Sequence, residues 1–527
     1  MDKKKRLITM VVTLLVLTIG VTFAYFMART GEGKQAGTTI TTGTVDDLKF
    51  NVSKENLSLN INQFNFASGS GNLSDNVTAT ASLKANSTKN TATYNYYVYF
   101  QIKSNDYVYT TTDKKPEIVL SITGPNGEIT SVDGLTYVSA TNADGTVVKG
   151  FDITTLGKSI TKIADSYEIS SSSSTNYTNQ EWTFTVTFIN LDTNQVGNQN
   201  KNLTGKVLIQ QEKIILNLSD VAKSGDNLVT AIQNLSTKSK PSYTGLYHHD
   251  ASLTNGAEDN SYRFAGASVQ VNNYVCFGST TPCPADNLYR IIGVFGDKVK
   301  LIKSDYATTA LLGADGDYSK MYTANGWDNS AYKGNNLANV AAYNWNKSNQ
   351  NTWSLSNLNK TNLNKNFITN IGADWAAKIA DTTWKVGGNT WANIGEQPAK
   401  TAYQNEIVNP VTTNSQDNKT EYSAKIGLMY ASDYVFAAAP SAWTTQLNSY
   451  NDEAIKNVNW MYMGLYEWTI SRLADGSYSA FSVGNTGEVG NNFIGSYAFG
   501  VRPVFNLSSS VNYVSGSGTA ADPILVN

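Results

Sequence analysis

Both cysteines of the 527-residue chain, Cys276 and Cys283, stand within one short stretch, NNYVCFGSTTPCPADNLYR, spanning Asn272 to Arg290. Six residues separate them, Gly278 and Pro282 among these, so a turn can bring the sulfurs together. A disulfide persists only in an oxidising compartment. A structural zinc would need two further ligands, and the only histidines, His248 and His249, adjoin each other well upstream. The spacing therefore predicts a Cys276–Cys283 bond, or else two ordinary buried thiols.

The other residues that could do chemistry are few. No G-x-S-x-G elbow, H-E-x-x-H, P-loop or G-x-G-x-x-G entering a helix occurs, and neither histidine has an evident nucleophile. Asp433, Glu467 and Glu488 supply carboxylates for an acid pair of the glycosidase kind. Ala314-Asp315-Gly316-Asp317 reads as half of a calcium loop without the following ligands. No metal and no cofactor is expected. The long segments Tyr318 to Tyr332 and Tyr466 to Tyr497 are rich in Tyr, Trp, Asn, Ser and Gly, a composition that combines rigid contact area with adaptable hydrogen bonding. Trp327, Trp345 and Trp353 sit among Asn and Lys without apolar periodicity, so they are the residues expected to be exposed for ligand binding. Their competing role is to fill the core.

Those residues need elements to carry them, and the N-terminus says where the elements work. Lys3 to Arg6 are consecutive cations, followed by Leu7 to Ala28 without a charge or proline. At 1.5 Å per residue that run reaches roughly 33 Å, enough to cross a bilayer core. The cations keep the start of the chain inside, so everything after Arg29 is expected outside the cell. Residues 1–28 are thus a signal anchor or a cleaved signal peptide, with Ala24 and Ala28 as small residues for cleavage, and 29–47 a linker. Partners expected on this basis are the membrane, through the N-terminal helix, a glycan or protein ligand, and other copies of the chain.

Lys plus Arg number 40 and Asp plus Glu 42, which leaves no electrostatic footprint for nucleic acid. Charged residues are only 16% of the chain, as on uncharged polar exterior surfaces. Between Leu48 and Gln211 the pattern is β throughout. Ala92, Tyr94, Tyr96, Val98, Phe100 and Ile102 alternate at period two, as do Trp182, Phe184, Val186 and Phe188. Pro116 to Thr123 adds a strand that Gly124-Pro125-Asn126-Gly127 turns, and Ser170 to Thr175 reads as a solvated loop. An antiparallel sandwich over 48–215 follows, jelly-roll or immunoglobulin-like. Val221, Leu228, Val229, Ile232 and Leu235 predict a helix capped by Ser219, and Ser236 to Thr244 a linker, so that 216–244 join the sandwich to a second domain over 245–527. That domain holds nine of the ten tryptophans, a hairpin turning at Gly296-Asp297, a helix around Trp375 and strands at Ser479 to Val483 and Val501 to Leu507. It reads as α+β with long polar loops.

Three resemblances extend this reading. FAYFMART followed by GTTITTGTVDDLKFNV resembles the exported TasA and camelysin family of bacterial surface and biofilm proteins, with Met27 where that family carries an acidic residue. Gly245 to Asp250, Asn272 to Lys303 and Gly500 to Leu507 resemble, in order, a module of exported gut-bacterial proteins to which no activity attaches. Ile426 to Tyr430, Leu465 to Thr469 and Val501 to Val504 resemble the C-type-lectin-like folds of formylglycine-generating enzymes. The paired C-terminal cysteines with which those enzymes bind copper are absent here. The resemblances imply a non-catalytic cell-surface protein, a sandwich stalk presenting a recognition module for adhesion. The alternatives are a TasA-like subunit of a biofilm fibre and a cryptic hydrolase. Covalent wall attachment through the C-terminal end is not expected, because no LPxTG-like motif precedes it.

Overall fold

The computed structural model describes residues 46–61, 73–280, 282–410 and 419–527. The expected membrane segment lies outside the described residues. Among those described, no helix is long and apolar enough to cross a membrane. The chain is β-rich and divides into two compact units, the second beginning at Ile215.

The first unit is an antiparallel β-sandwich. Its strands are β1 (Asp47–Val52), β2 (Leu57–Asn60), β3 (Leu73–Lys84), β4 (Ala92–Asn105), β5 (Ile118–Gly124), β6 (Gly127–Glu128), β7 (Tyr137–Thr141), β8 (Val147–Asp152), β9 (Ser159–Ser171), β10 (Thr178–Phe188) and β11 (Asn202–Gln210). One sheet runs β1-β3-β10-β5-β8-β7 with β6 attached to β5, and the other runs β2-β11-β4-β9. The alternating residues of β3, β4 and β10 turn inward: Val77 and Ala79, Val98 and Phe100, Trp182 and Phe184 share one core. This burial of one face per strand makes the period-two pattern legible. Phe100 and Phe184 lie nearly parallel with ring centroids 6.0 Å apart. Gly205 has to be glycine, because a Cβ there would stand 2.8 Å from the Phe100 ring. The predicted turn at Gly124 to Gly127 is present, and of the serine run only the residues beyond Ser171 leave the strand.

A buried carboxylate fixes one end of the sandwich. Glu117, just ahead of β5, accepts hydrogen bonds from the Thr110 amide at 2.5 Å and hydroxyl at 2.7 Å, Gln195 Nε2 at 2.7 Å and Asn198 Nδ2 at 2.8 Å. It has neutral donors instead of a cation, and it ties the loop after β4 to the loop after β10.

In the second unit the predicted helix starts later than expected. It spans Leu228–Lys238, and Asn227 caps it by accepting from the Thr230 amide at 3.2 Å, whereas Ser219 lies in a separate short turn. Gly225, at φ 95°, falls between the two. The expected linker contains another helical turn, Pro241–Thr244, and both helices belong to this unit.

The larger sheet is built on β12 (Leu246–His248), β13 (Tyr262–Phe264), β14 (Tyr274–Cys276), β15 (Leu288–Phe295) and β16 (Lys298–Lys303). The hairpin β15-β16 turns at Gly296-Asp297 as its sequence requires. Val504–Asn506 extends the sheet beyond β16, and Ile524–Val526 pairs parallel with β14. A smaller sheet orders Gly388–Asn389, Glu467–Leu473, Ser479–Val483 and Val489–Phe493. Both sheets feed one core rich in tryptophan. The expected helix around Trp375 is only Ala373–Ala376, preceded by a wide π-helical stretch, Leu358–Phe367.

Candidate binding face

Cys276 and Cys283 form a disulfide, with Cα atoms 5.8 Å apart. Cys276 ends the buried strand β14, so the bond anchors the loop 277–287 to the sheet. Its role is structural.

Trp345 and Trp353 do not have the expected exposure. Their relative exposures are 0% and 1%, their ring centroids lie 4.9 Å apart, and Trp345 Nε1 donates to the Thr469 carbonyl at 2.9 Å. The surrounding Asn and Lys suggest a wet environment. Those polar neighbours instead hydrogen-bond the backbone around the rings: Asn359 Nδ2 donates to the Trp353 carbonyl at 2.9 Å. Trp327 is half-buried, and its indole Nε1 has no hydrogen-bond partner.

The exposed aromatic surface lies beside Trp327. Tyr478 and Phe493 are 50% and 48% exposed, the only aromatic side chains so open among the described residues, and their centroids are 5.5 Å apart. The ladder of Ser479–Val483 with Val489–Phe493 creates the pair, because Phe493 stands opposite Ser479, the neighbour of Tyr478. From there the rings continue inward. Tyr497 lies 6.4 Å from Phe493 with ring planes 4° apart, Trp327 lies 5.7 Å from Tyr497, and Tyr466 lies 5.3 Å from Trp327. Buried Phe499 closes the path at 5.9 Å from Tyr497 and 4.4 Å from Trp468. An open pair of rings is therefore backed by the core.

Side-chain amides hold the loops that carry these rings. Asn344 Nδ2 donates to the carbonyls of Gly495 at 3.0 Å and Tyr497 at 2.8 Å. Asn351 Nδ2 reaches the carbonyls of Leu473, Gly476 and Ser479 at 2.7, 2.8 and 2.8 Å, which fixes the turn bearing Tyr478. Asn349 lies over Gly495, where an added Cβ would meet its Oδ1 at 2.4 Å. Exposed Asn349 lies against Gly495, exposed Asn491 and Ser496 flank Phe493 along the chain, and exposed Asp475 stands in the turn before Tyr478. Between Gly476 and Phe499 the only charged residue is Glu488, at the far end of the hairpin.

The remaining candidates have partners of their own. Asp433 sits 2.5 Å from Lys300 Nζ, Glu467 is bound by Arg502, and Glu488 accepts from Thr486 Oγ1. His248 stacks on Tyr262 at 4.2 Å and lies 3.2 Å from Asp250. His249 is buried against Phe436 and Trp443, its Nδ1 accepting from the Ala257 amide at 3.0 Å. Burial, and then the nearby Arg263 charge, lower its pKa to about 2, so the imidazole is neutral. Asp317 is taken up by the backbone amides of Lys347 at 3.1 Å and Leu358 at 2.7 Å, and Asp315 accepts from Asn366 at 2.6 Å. Among the described residues no group of three or more His, Cys, Asp or Glu could hold a metal.

Sequence reasoning reached the segment Tyr466 to Tyr497 and missed Tyr478 and Phe493 within it. The usable signal was Phe493 itself, a large apolar residue following Gly490-Asn491-Asn492 on an edge strand, where no core demands it. No family model, curated protein or solved structure matches the chain.

Proposed function

We propose that the chain is an exported, non-catalytic surface protein in which residues 7–28 engage the membrane, the sandwich serves as stalk, and the second unit is an α+β recognition module of C-type-lectin-like type. The module stacks an uncharged saccharide on Tyr478 and Phe493. The observation that carries the reading is this open ring pair beside exposed Asn and Ser side chains, with one carboxylate, Asp475, in the turn before Tyr478 and no cation in that turn. Aromatic faces cover the apolar faces of pyranose rings, and neutral amides satisfy hydroxyl groups without selecting for charge. An anionic peptide or nucleic acid would require cations that this turn does not supply.

The test is a glycan array probed with residues 46–527 and with a Tyr478→Ala/Phe493→Ala variant. Discrete neutral glycans bound at least tenfold more weakly by the variant, at unchanged thermal midpoint, support the reading. Absence of any bound glycan, or binding that the variant retains, overturns it.

A further inference from the structure

Beneath β16 a group of buried charges departs from ordinary ion pairing. Lys300 and Asp433 are 5% and 2% exposed, with Lys300 Nζ 2.5 Å from Asp433 Oδ2. Arg263, also buried, points Nη1 at the other carboxylate oxygen, Oδ1, from 3.8 Å, and that nitrogen has no hydrogen-bond partner. The charge of Arg263 is already balanced elsewhere: its Nη2 lies 2.5 Å from Asp259 Oδ2 and its Nε donates to Ser261 Oγ at 2.8 Å. Lys300 and Asp433 therefore have to neutralise each other. Around them are rings, with Nζ 4.6 Å from the Tyr430 centroid, 5.0 Å from Phe295 and 5.9 Å from Trp384. Charges enclosed this way carry a large desolvation cost, which a neutral amide at the same place would remove.

We propose that Lys300 and Asp433 condense to an intramolecular amide bond between Nζ and Cγ. The step balances without any co-reactant. A proton passes from the ammonium to the carboxylate, and the amine lone pair attacks Cγ. Negative charge that develops on Oδ1 faces the unpartnered Arg263 Nη1. The Cγ–Oδ2 bond then breaks, and Oδ2 leaves as water with the two protons the ammonium has given up. The group is neutral before and after, and nothing is oxidised or reduced. Burial pulls the Lys300 amine below its ordinary range, which favours its uncharged, nucleophilic form.

Glu406 is a positioning residue. It accepts from the amides of Ala431 at 3.0 Å and Ser432 at 2.9 Å and from Ser471 Oγ, which sets the first turn of the helix Ala431–Phe436. The Tyr430 amide donates to Asp433 Oδ2 at 3.0 Å and keeps the carboxylate turned toward Lys300. The bond would join residues 133 positions apart in sequence.

Intact-mass measurement of the full purified chain tests this directly. Loss of one water lowers the mass by about 18 Da beyond the two hydrogens of the disulfide. Proteolysis should release one joined peptide containing both Lys300 and Asp433. The Lys300→Arg variant should return to the full mass less two hydrogens, and Glu406→Gln should form the bond more slowly in a time course after refolding. A wild-type mass reduced by the disulfide alone overturns the inference, as does a lost water that maps to any other pair. Because the decisive measurements use wild-type protein, a variant that fails to fold does not weaken them.

Discussion

Arg502 and Glu467 meet inside the second unit through two parallel hydrogen bonds, Nε to Oε1 and Nη2 to Oε2, both 2.8 Å long. Arg502 also donates to the Met461 carbonyl at 2.9 Å and lies 5.6 Å from the Tyr306 ring centroid. The planar fork fits the carboxylate in a way that lysine cannot. Removing one partner leaves the other buried and uncompensated, so Glu467→Ala is expected to destabilise the second unit by about 3 to 5 kcal/mol. Urea unfolding followed by tryptophan fluorescence reads the change. Arg502→Lys should also lose stability while keeping the charge. A loss below about 1 kcal/mol in both variants would show that the fork contributes little.

His249 gives the second unit a pH dependence of definite sign. Its folded pKa is depressed from 6.5 to about 2, so the folded protein excludes a proton that the unfolded chain accepts below pH 6.5. Stability from this residue is complete above pH 6.5 and falls as the pH drops, by about 1.4 kcal/mol per unit. Denaturation at pH 6.5 and 5.0 has to be read as the difference between wild type and a His249 variant, because burial also raises the carboxyls of Glu406 and Glu467, whereas Asp259, held well below the carboxylate range against the cost of burial by Arg263 and Ser261, stays ionised throughout. The His249→Gln variant should lose that slope over the same interval.

In the sandwich, Glu117→Ala strands four donors that now share one carboxylate. A cost of about 3 kcal/mol or more is expected, with a smaller one for Glu117→Gln, which keeps one acceptor oxygen. Calorimetry should show one of two transitions moving to lower temperature and the other staying in place if the two units unfold separately. An unchanged thermogram in the alanine variant would refute the pinning role.

Reduction of the disulfide has a bounded effect. Closing a loop over a sequence separation of 7 limits the unfolded chain by about 2.5 kcal/mol. Cys276→Ala/Cys283→Ala should lower the stability of the second unit by that amount and leave the sandwich unaffected. A loss several times larger would mean that the loop 277–287 also organises its neighbours.

The sandwich was legible because each strand buries one face, so Trp182, Phe184 and Val186 mark period two without help from distant residues. The hairpin at Gly296-Asp297 and the disulfide depend on local spacing and were equally readable. The second unit was harder to read. Many of its polar residues face inward: Asn359, Asn362 and Asn351 are fully buried, and their amides donate to the backbone carbonyls of Trp353, Leu312 and Leu473. Polar composition around Trp345 and Trp353 therefore gives the wrong sign for exposure. The helix boundary was misplaced for a local reason, since the Ser219 turn ends at Val221 and Gly225, with a positive φ, lies in the connection before Asn227 starts the helix. The open pair of Tyr478 and Phe493 depends on cross-strand register, which single-strand patterns do not contain.

The asparagine brackets around the ring pair have a consequence for the range of solution conditions the ring pair tolerates. A loop tethered by ion pairs loosens in brine or acid, whereas Asn344 and Asn351 hold theirs with carboxamides, which carry no charge to screen and no proton to gain. The geometry of the rings should thus stay the same across wide swings in salinity and acidity.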